Sequence, residues 1–88
     1  MEILPSNRKN KKYMAIFDNN KKIHFGAANS KTFLDHGDET KRKNYIKRHQ
    51  VNEDFTKINP ASLSRYLLWG STNLNKNIND YKKRFKIK

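Results

Sequence analysis

Seven side chains between Asp35 and Asp54 are of the kinds that hold divalent metals or move protons: Asp35, His36, Asp38, Glu39, His49, Glu53 and Asp54. Gathered around one ion, carboxylates and imidazoles support metal-assisted hydrolysis, with a bound water as the nucleophile. Their spacing here selects no known site. There is no HExxH pair, no EF-hand loop and no HNH-type pairing. His36 and His49 stand roughly four turns apart if one helix joins them, so they could meet only through a fold-back. A packed or capping histidine is the simpler reading of each. Ser62 and Ser64 lack a base nearby in sequence and read as helix-entry hydroxyls rather than nucleophiles. The expectation is a protein without metal or cofactor that catalyses no reaction. A metal-dependent nuclease is the remote alternative.

The stronger chemical signal is charge. Twenty Lys+Arg against eight Asp+Glu give a formal net charge of +12 on 88 residues. Such an excess attracts polyanions and accelerates their encounter, whatever the fold. The cations fall into three groups: Arg8, Lys9, Lys11 and Lys12 near the start, Lys41, Lys43, Lys47 and Arg48 in the middle, and Lys82, Lys83 and Arg84 in the terminal KKRFKIK. Converging on one side, they would form a phosphate-binding surface; pointing apart, they would be solvated faces. Tyr45, Trp69, Tyr81 and Phe85 interleave with these groups, yet their helical spacing makes them core residues before base-stacking platforms. Cysteine is absent, which excludes disulfides and thiolate zinc sites. No apolar run approaches the roughly 20 residues of a membrane span, and no signal-peptide core is present, so no membrane partner is expected and an intracellular location is.

The elements that must position these groups can be read in outline. Residues 1–12 carry little that could pack and read as a flexible basic arm, with one small domain over residues 13–88. In KKYMAIFDNNKKIHFGA, two β-prone runs flank Asn19-Asn20. A two-residue primed turn there would set Asp18 opposite Lys21, Ile16 opposite Ile23 and Met14 opposite Phe25. Met14, Ile16, Ile23 and Phe25 would then share one face. Gly26 to Gly37 reads as irregular, anchored by Phe33 and Leu34.

Asp38 then caps a helix from about Glu39 to Gln50, with Glu39 at the positive end of the dipole and Lys47 and Arg48 at the negative end. At 100° per residue, Tyr45, Ile46 and His49 fall on its inner side, and Lys43, Asn44, Lys47 and Arg48 on its outer side. Arg42 projects among the inner residues and needs a partner for its charge, Asp35 or Asp54 being the expected one. Asn59 and Pro60 start a second helix that Gly70 stops, so it spans roughly Pro60 to Trp69. Leu74, Ile78, Tyr81 and Phe85 line one face of a third. The predicted fold is α+β: an N-terminal hairpin packed on about three helices, with Asp38, Arg42, Tyr45, His49 and Trp69 in structural roles.

Phe25-Gly26, His36-x-Asp38, Arg42 with Tyr45, Arg48-His49, Asn52-Glu53-Asp54-Phe55 and Ser64-Arg65 followed by Leu67-Leu68-Trp69 form a combination. Over roughly Lys22 to Phe85 it resembles small basic proteins of giant and other large nucleocytoplasmic DNA viruses, a group with no assigned function. Thr32 stands where that pattern has an aspartate, which weakens any role for that carboxylate as a ligand. Asn29 stands where it has a glycine, and could supply the same left-handed turn. The resemblance implies a viral setting, in the virion or in the cytoplasm or nucleus of the infected host.

Together these readings predict a virion-associated or replication-associated protein that binds nucleic acid, DNA rather than RNA, through phosphate contacts of low sequence specificity. The alternative is a minor virion component that docks on acidic virion proteins.

Overall fold

In the computed structural model, which describes residues 1–87, the chain begins as an antiparallel meander. Its strands are β1 (Glu2–Pro5), β2 (Lys11–Ile16) and β3 (Lys22–Ala27), in that spatial order. Residues 1–12 are therefore not a flexible arm. Ile3 pairs with Ala15 and Leu4 with Met14, and Lys11 and Lys12 belong to β2. Alternation recruits β1: Met1 and Ile3 pack against the core. Arg8 and Lys9 ride on the turn between the strands, where the Lys11 amide donates to the Arg8 carbonyl at 3.2 Å. Lys88, the last residue of the terminal basic run, lies outside the described residues.

The β2–β3 hairpin differs from expectation by one residue. Its loop holds three residues rather than two: the Phe17 amide donates to Lys21 O at 2.9 Å, and the Asn20 amide to Phe17 O at 2.8 Å. Asn20 takes the left-handed position, φ 66°, as in three-residue hairpins built on a type I turn. Ile16 consequently faces Lys22, Met14 faces His24, Ala15 faces Ile23 and Tyr13 faces Phe25. A slip of one register step turns the side chains of β2 over relative to those of β3. The core face thus carries Ile3, Tyr13, Ala15, Ile23 and Phe25, while Met14 and Ile16 point the other way. Asn29, by contrast, keeps a negative φ, so it does not supply the left-handed turn expected of it.

The helical part comprises α1 (Phe33–His36), α2 (Glu39–His49), α3 (Pro60–Leu63) and α4 (Leu74–Arg84), so the fold is α+β as predicted. Phe33, one of the two expected anchors, is buried in the short α1; Leu34, the other, is half-buried against the core. The Asp38 carboxylate accepts from the Thr40 and Lys41 amides at 3.0 and 3.2 Å, which is the predicted cap of α2. The Asn59 side chain caps α3 through the Ser62 amide at 2.7 Å.

The expected single helix from Pro60 to Trp69 is α for its first turn only. Ser64–Leu68 winds as a π-turn, closed by the Trp69 amide on Ser64 O at 3.2 Å. The wider turn keeps Leu67 and Leu68 buried together with Leu63.

Ala15, Phe25, Leu63, Leu67, Leu68 and Tyr81 form the buried core, with α3 and the π-turn lying on β3 and α4 on the π-turn. Gly26 sits where the two layers touch: its φ is +80°, and a β-carbon there would come within 2.9 Å of Leu68. Two polar features are buried with the core. The Ser62 and Tyr81 hydroxyls bond at 2.8 Å. Asn77 ties α4 to the end of the π-turn, donating to Leu67 O and Ser71 O at 2.9 Å each.

Candidate nucleic-acid interface

The basic helix α2 is held to the rest of the fold by aromatic rings. Tyr45 stacks on Trp69 with centroids 4.3 Å apart and planes 5° from parallel, and His49 stacks on Tyr45 at 4.2 Å. His36 meets Trp69 at 5.4 Å and 60°. Both flanking histidines are further fixed by hydrogen bonds. His36 Nδ1 accepts from the Asp38 amide at 2.9 Å, and His49 Nδ1 lies 3.1 Å from Glu53 Oε1. Burial pushes the Tyr45 phenol up to about 12, with the nearby Glu53 charge adding to the shift and the charges of Arg65 and Arg48, then the Ser64 hydroxyl, opposing it. Among the described residues, no three imidazole and carboxylate groups come together in a way that could hold a metal ion.

Arg42 does find partners, but neither Asp35 nor Asp54. Its Nε donates to the carbonyls of Trp69 and Gly70 at 2.9 and 3.1 Å, and its Nη1 to Glu39 Oε1 at 2.9 Å. The reason lies just past the π-turn: the Trp69 and Gly70 carbonyls have no continuing helix to satisfy them, and the guanidinium supplies the donors. Asp35 is engaged elsewhere, accepting from the Thr32 amide at 2.6 Å and lying 3.6 Å from Lys12 Nζ. These interactions, the backbone bond foremost, hold its carboxyl below the usual range. Asp54 accepts from the Thr56 amide at 2.8 Å.

With α2 so placed, one cleft of about 780 Å³ opens beside the aromatic stack. Lys11 of β2, Lys31 of the β3–α1 connection and Arg48 of α2 line it, together with Tyr45, His49, Glu53, Ser64 and Trp69. A neighbouring hollow shares Lys31, Arg48 and Trp69 and adds His36, Lys41 and Asn44. Cations from three separate elements thus edge one aromatic-walled depression.

The remaining basic residues go elsewhere. Lys12 is drawn to Ser30 O at 2.6 Å and to Asp35. Arg8 lies near His24, whose pKa is lowered first by burial and then by Arg8, Lys22 and Lys11. Lys43 and Lys47 are exposed on the outer face of α2. Lys82 and Lys83 line a different hollow with Lys86. Arg84 lies over the Tyr66 ring at 4.2 Å and joins Arg42 and Arg65 at a third. Among the described residues, the three sequence groups therefore line different hollows.

Lys31 and Arg65 were missed by the grouping. Lys31 is an isolated cation in an irregular stretch, with no local signal. Arg65 could have been flagged by the rule applied to Arg42, since it too is a guanidinium inside an apolar helical run.

Fold and site together define a small α+β protein that fastens a cationic helix to its core through stacked rings. The chain belongs to a family of unknown function, DUF5754, whose profile matches residues 1–49. That range contains the sheet and all of α2, but not the segment bearing Trp69. Searches of curated proteins and of solved structures gave no match.

Proposed function

We propose that this protein binds nucleic acid, DNA in preference to RNA, by neutralising phosphates with little sequence specificity and without catalysing a reaction. The observation that carries the reading is the set of cations around the aromatic-walled depression: Lys11, Lys31, Lys41 and Arg48. Residues remote in sequence place like charges at one surface, which costs free energy unless a polyanion occupies it. Phosphates on the edge would fix the strand, and the exposed parts of Trp69 and His49 offer ring surface to an unpaired base. Lys43 and Lys47 extend the positive field along α2. The resemblance to proteins of large DNA viruses favours DNA as ligand and a virion or replication compartment as the setting.

Backbone and side-chain NMR during titration with a short single-stranded oligonucleotide tests the reading. Shifts should concentrate at Lys11, Lys31, Lys41, Arg48 and the Trp69 indole. Binding that instead perturbs only the β1–β2 turn or the outer sheet face would overturn this placement of the site.

A further inference from the structure

Three arginines from three elements meet at a small pocket of about 200 Å³: Arg42 of α2, Arg65 of the π-turn and Arg84 of α4. Their anchoring leaves positive charge in excess. Arg42 spends Nε on two carbonyls and shares Nη1 with Glu39, whose side chain is 54% exposed. Arg65 donates to Trp69 O at 3.3 Å, and its guanidinium lies 4.9 Å from the Tyr66 ring centroid. Arg84 lies 4.2 Å from the same ring. Among the described residues, no carboxylate comes within 4 Å of Arg65 or Arg84. The acid in the lining, Asp80, is engaged first by Lys76 at 2.8 Å and only more weakly by the charges of Lys83 and Arg84.

Three guanidiniums around one small volume, with Glu39 on Arg42 and Asp80 already held by Lys76, still repel one another when the pocket is empty. Arg65 registers it: burial lowers its pKa first, and the charge of Arg42, with a contribution from Arg84, lowers it further. An anion that accepts from several guanidiniums reverses that penalty, and planar forks suit the oxygens of a phosphoryl group. Tyr66 holds two of the forks by stacking, which limits the entropy lost when they bind. A phosphate monoester carries about −1.5 to −2 charge at pH 7, against −1 for an internal diester. A cluster of three cations around a small volume discriminates in favour of the former.

We propose that this pocket is a seat for one phosphate monoester, supplied by the terminal phosphate of a nucleic-acid strand. The source of the phosphate rests on the nucleic-acid reading; the seat itself does not. It differs from the cleft edged by Lys11, Lys31 and Arg48, which would track internal phosphates.

Two measurements on the full chain test it. Fluorescence anisotropy compares oligonucleotides of one sequence with a terminal phosphate or a terminal hydroxyl. NMR of the arginine Nε–H groups follows titration with inorganic phosphate. The phosphorylated strand should bind about tenfold tighter, on the scale of one good charge-assisted contact. Arg84→Gln, at an exposed position, should erase most of that preference with the circular dichroism unchanged. Arg65→Lys, which keeps charge but loses the fork, should erase it in part.

Equal binding of both strands, together with phosphate-insensitive Arg65 and Arg84 signals, overturns the seat and leaves the nucleic-acid reading standing. Phosphate that moves the three arginine signals while neither strand binds keeps the seat and sinks the nucleic-acid reading instead.

Discussion

Replacing Asn77 by aspartate exchanges one amide nitrogen for an oxygen at the joint between α4 and the π-turn. Asn77 is 3% exposed, and its amide uses both donors and its acceptor. Nδ2 donates to Leu67 O and Ser71 O at 2.9 Å each, while Oδ1 accepts from the Ser71 amide at 3.0 Å. A carboxylate keeps the acceptor side and turns both donations into oxygen–oxygen contacts. Stripping the buried Leu67 carbonyl and the part-buried Ser71 carbonyl of their donor costs about 1–3 kcal/mol each, so the variant should lose on the order of 3–5 kcal/mol at pH 7. That is a large share of the roughly 5–15 kcal/mol typical of a domain.

The loss should depend on pH. A protonated carboxyl can donate once, so the folded protein favours the neutral form and raises the introduced group's pKa above its unfolded value of about 3.9. The folded state then binds more protons than the unfolded one, and stability falls as pH rises through the folded pKa. Relative to wild type, the penalty should be smallest below about pH 4 and largest at neutrality. Urea unfolding followed by Trp69 fluorescence at several pH values measures it. A cost under about 1 kcal/mol at pH 7, or one that is flat with pH, would refute the reasoning.

Trp69→Ala removes the ring that carries α2, and should cost ~2–4 kcal/mol while raising hydrogen exchange in α2 more than in the sheet; equal protection in α2 would count against the stacking account. Asp38→Ala removes two cap hydrogen bonds and should cost about 1 kcal/mol in thermal or urea unfolding, with no change in the urea dependence. Tyr45 should ionise only near about 12 in a 295 nm titration. Because its folded pKa is raised, its contribution is intact below the unfolded value of about 10 and is lost as pH rises through the folded one; Tyr45→Phe should reduce that alkaline loss, leaving the part due to Tyr81, whose pKa burial also raises.

What the sequence conveyed depended on whether independent local signals agreed. For α2 they did: the Asp38 cap, the order of acids and bases along the dipole, and the inner side of Tyr45, Ile46 and His49 all gave one helix with one orientation. Leu74, Ile78, Tyr81 and Phe85 did the same for α4. In β1 they conflicted, because the downstream run of Arg8, Lys9, Lys11 and Lys12 masked the two apolar residues that pair with β2. The hairpin register turned on a single residue. Asn19-Asn20 suits a tight turn, but drawing Phe17 and Lys21 into the ladder makes Asn20 the left-handed residue and turns Met14 and Ile16 away from the core.

The π-turn has no local signature, and its consequence for Arg42 was equally hidden. That a guanidinium at this position needs partners is a local inference. That carbonyls 27 and 28 residues away supply them is a property of the tertiary fold. The same holds for the cleft, since Lys31 becomes meaningful only once β3 and α2 set it beside Arg48.

The salt dependence of DNA binding tests the central proposal most directly. With about four phosphates neutralised by Lys11, Lys31, Lys41 and Arg48, the log–log slope on duplex DNA should be near −3.6, and near −2.8 on single strands. The double variant Lys31→Glu, Arg48→Glu should flatten the duplex slope by about 1.8 or more while leaving the circular dichroism unchanged. Negligible binding at low salt, or a slope untouched by those two substitutions, would contradict the account.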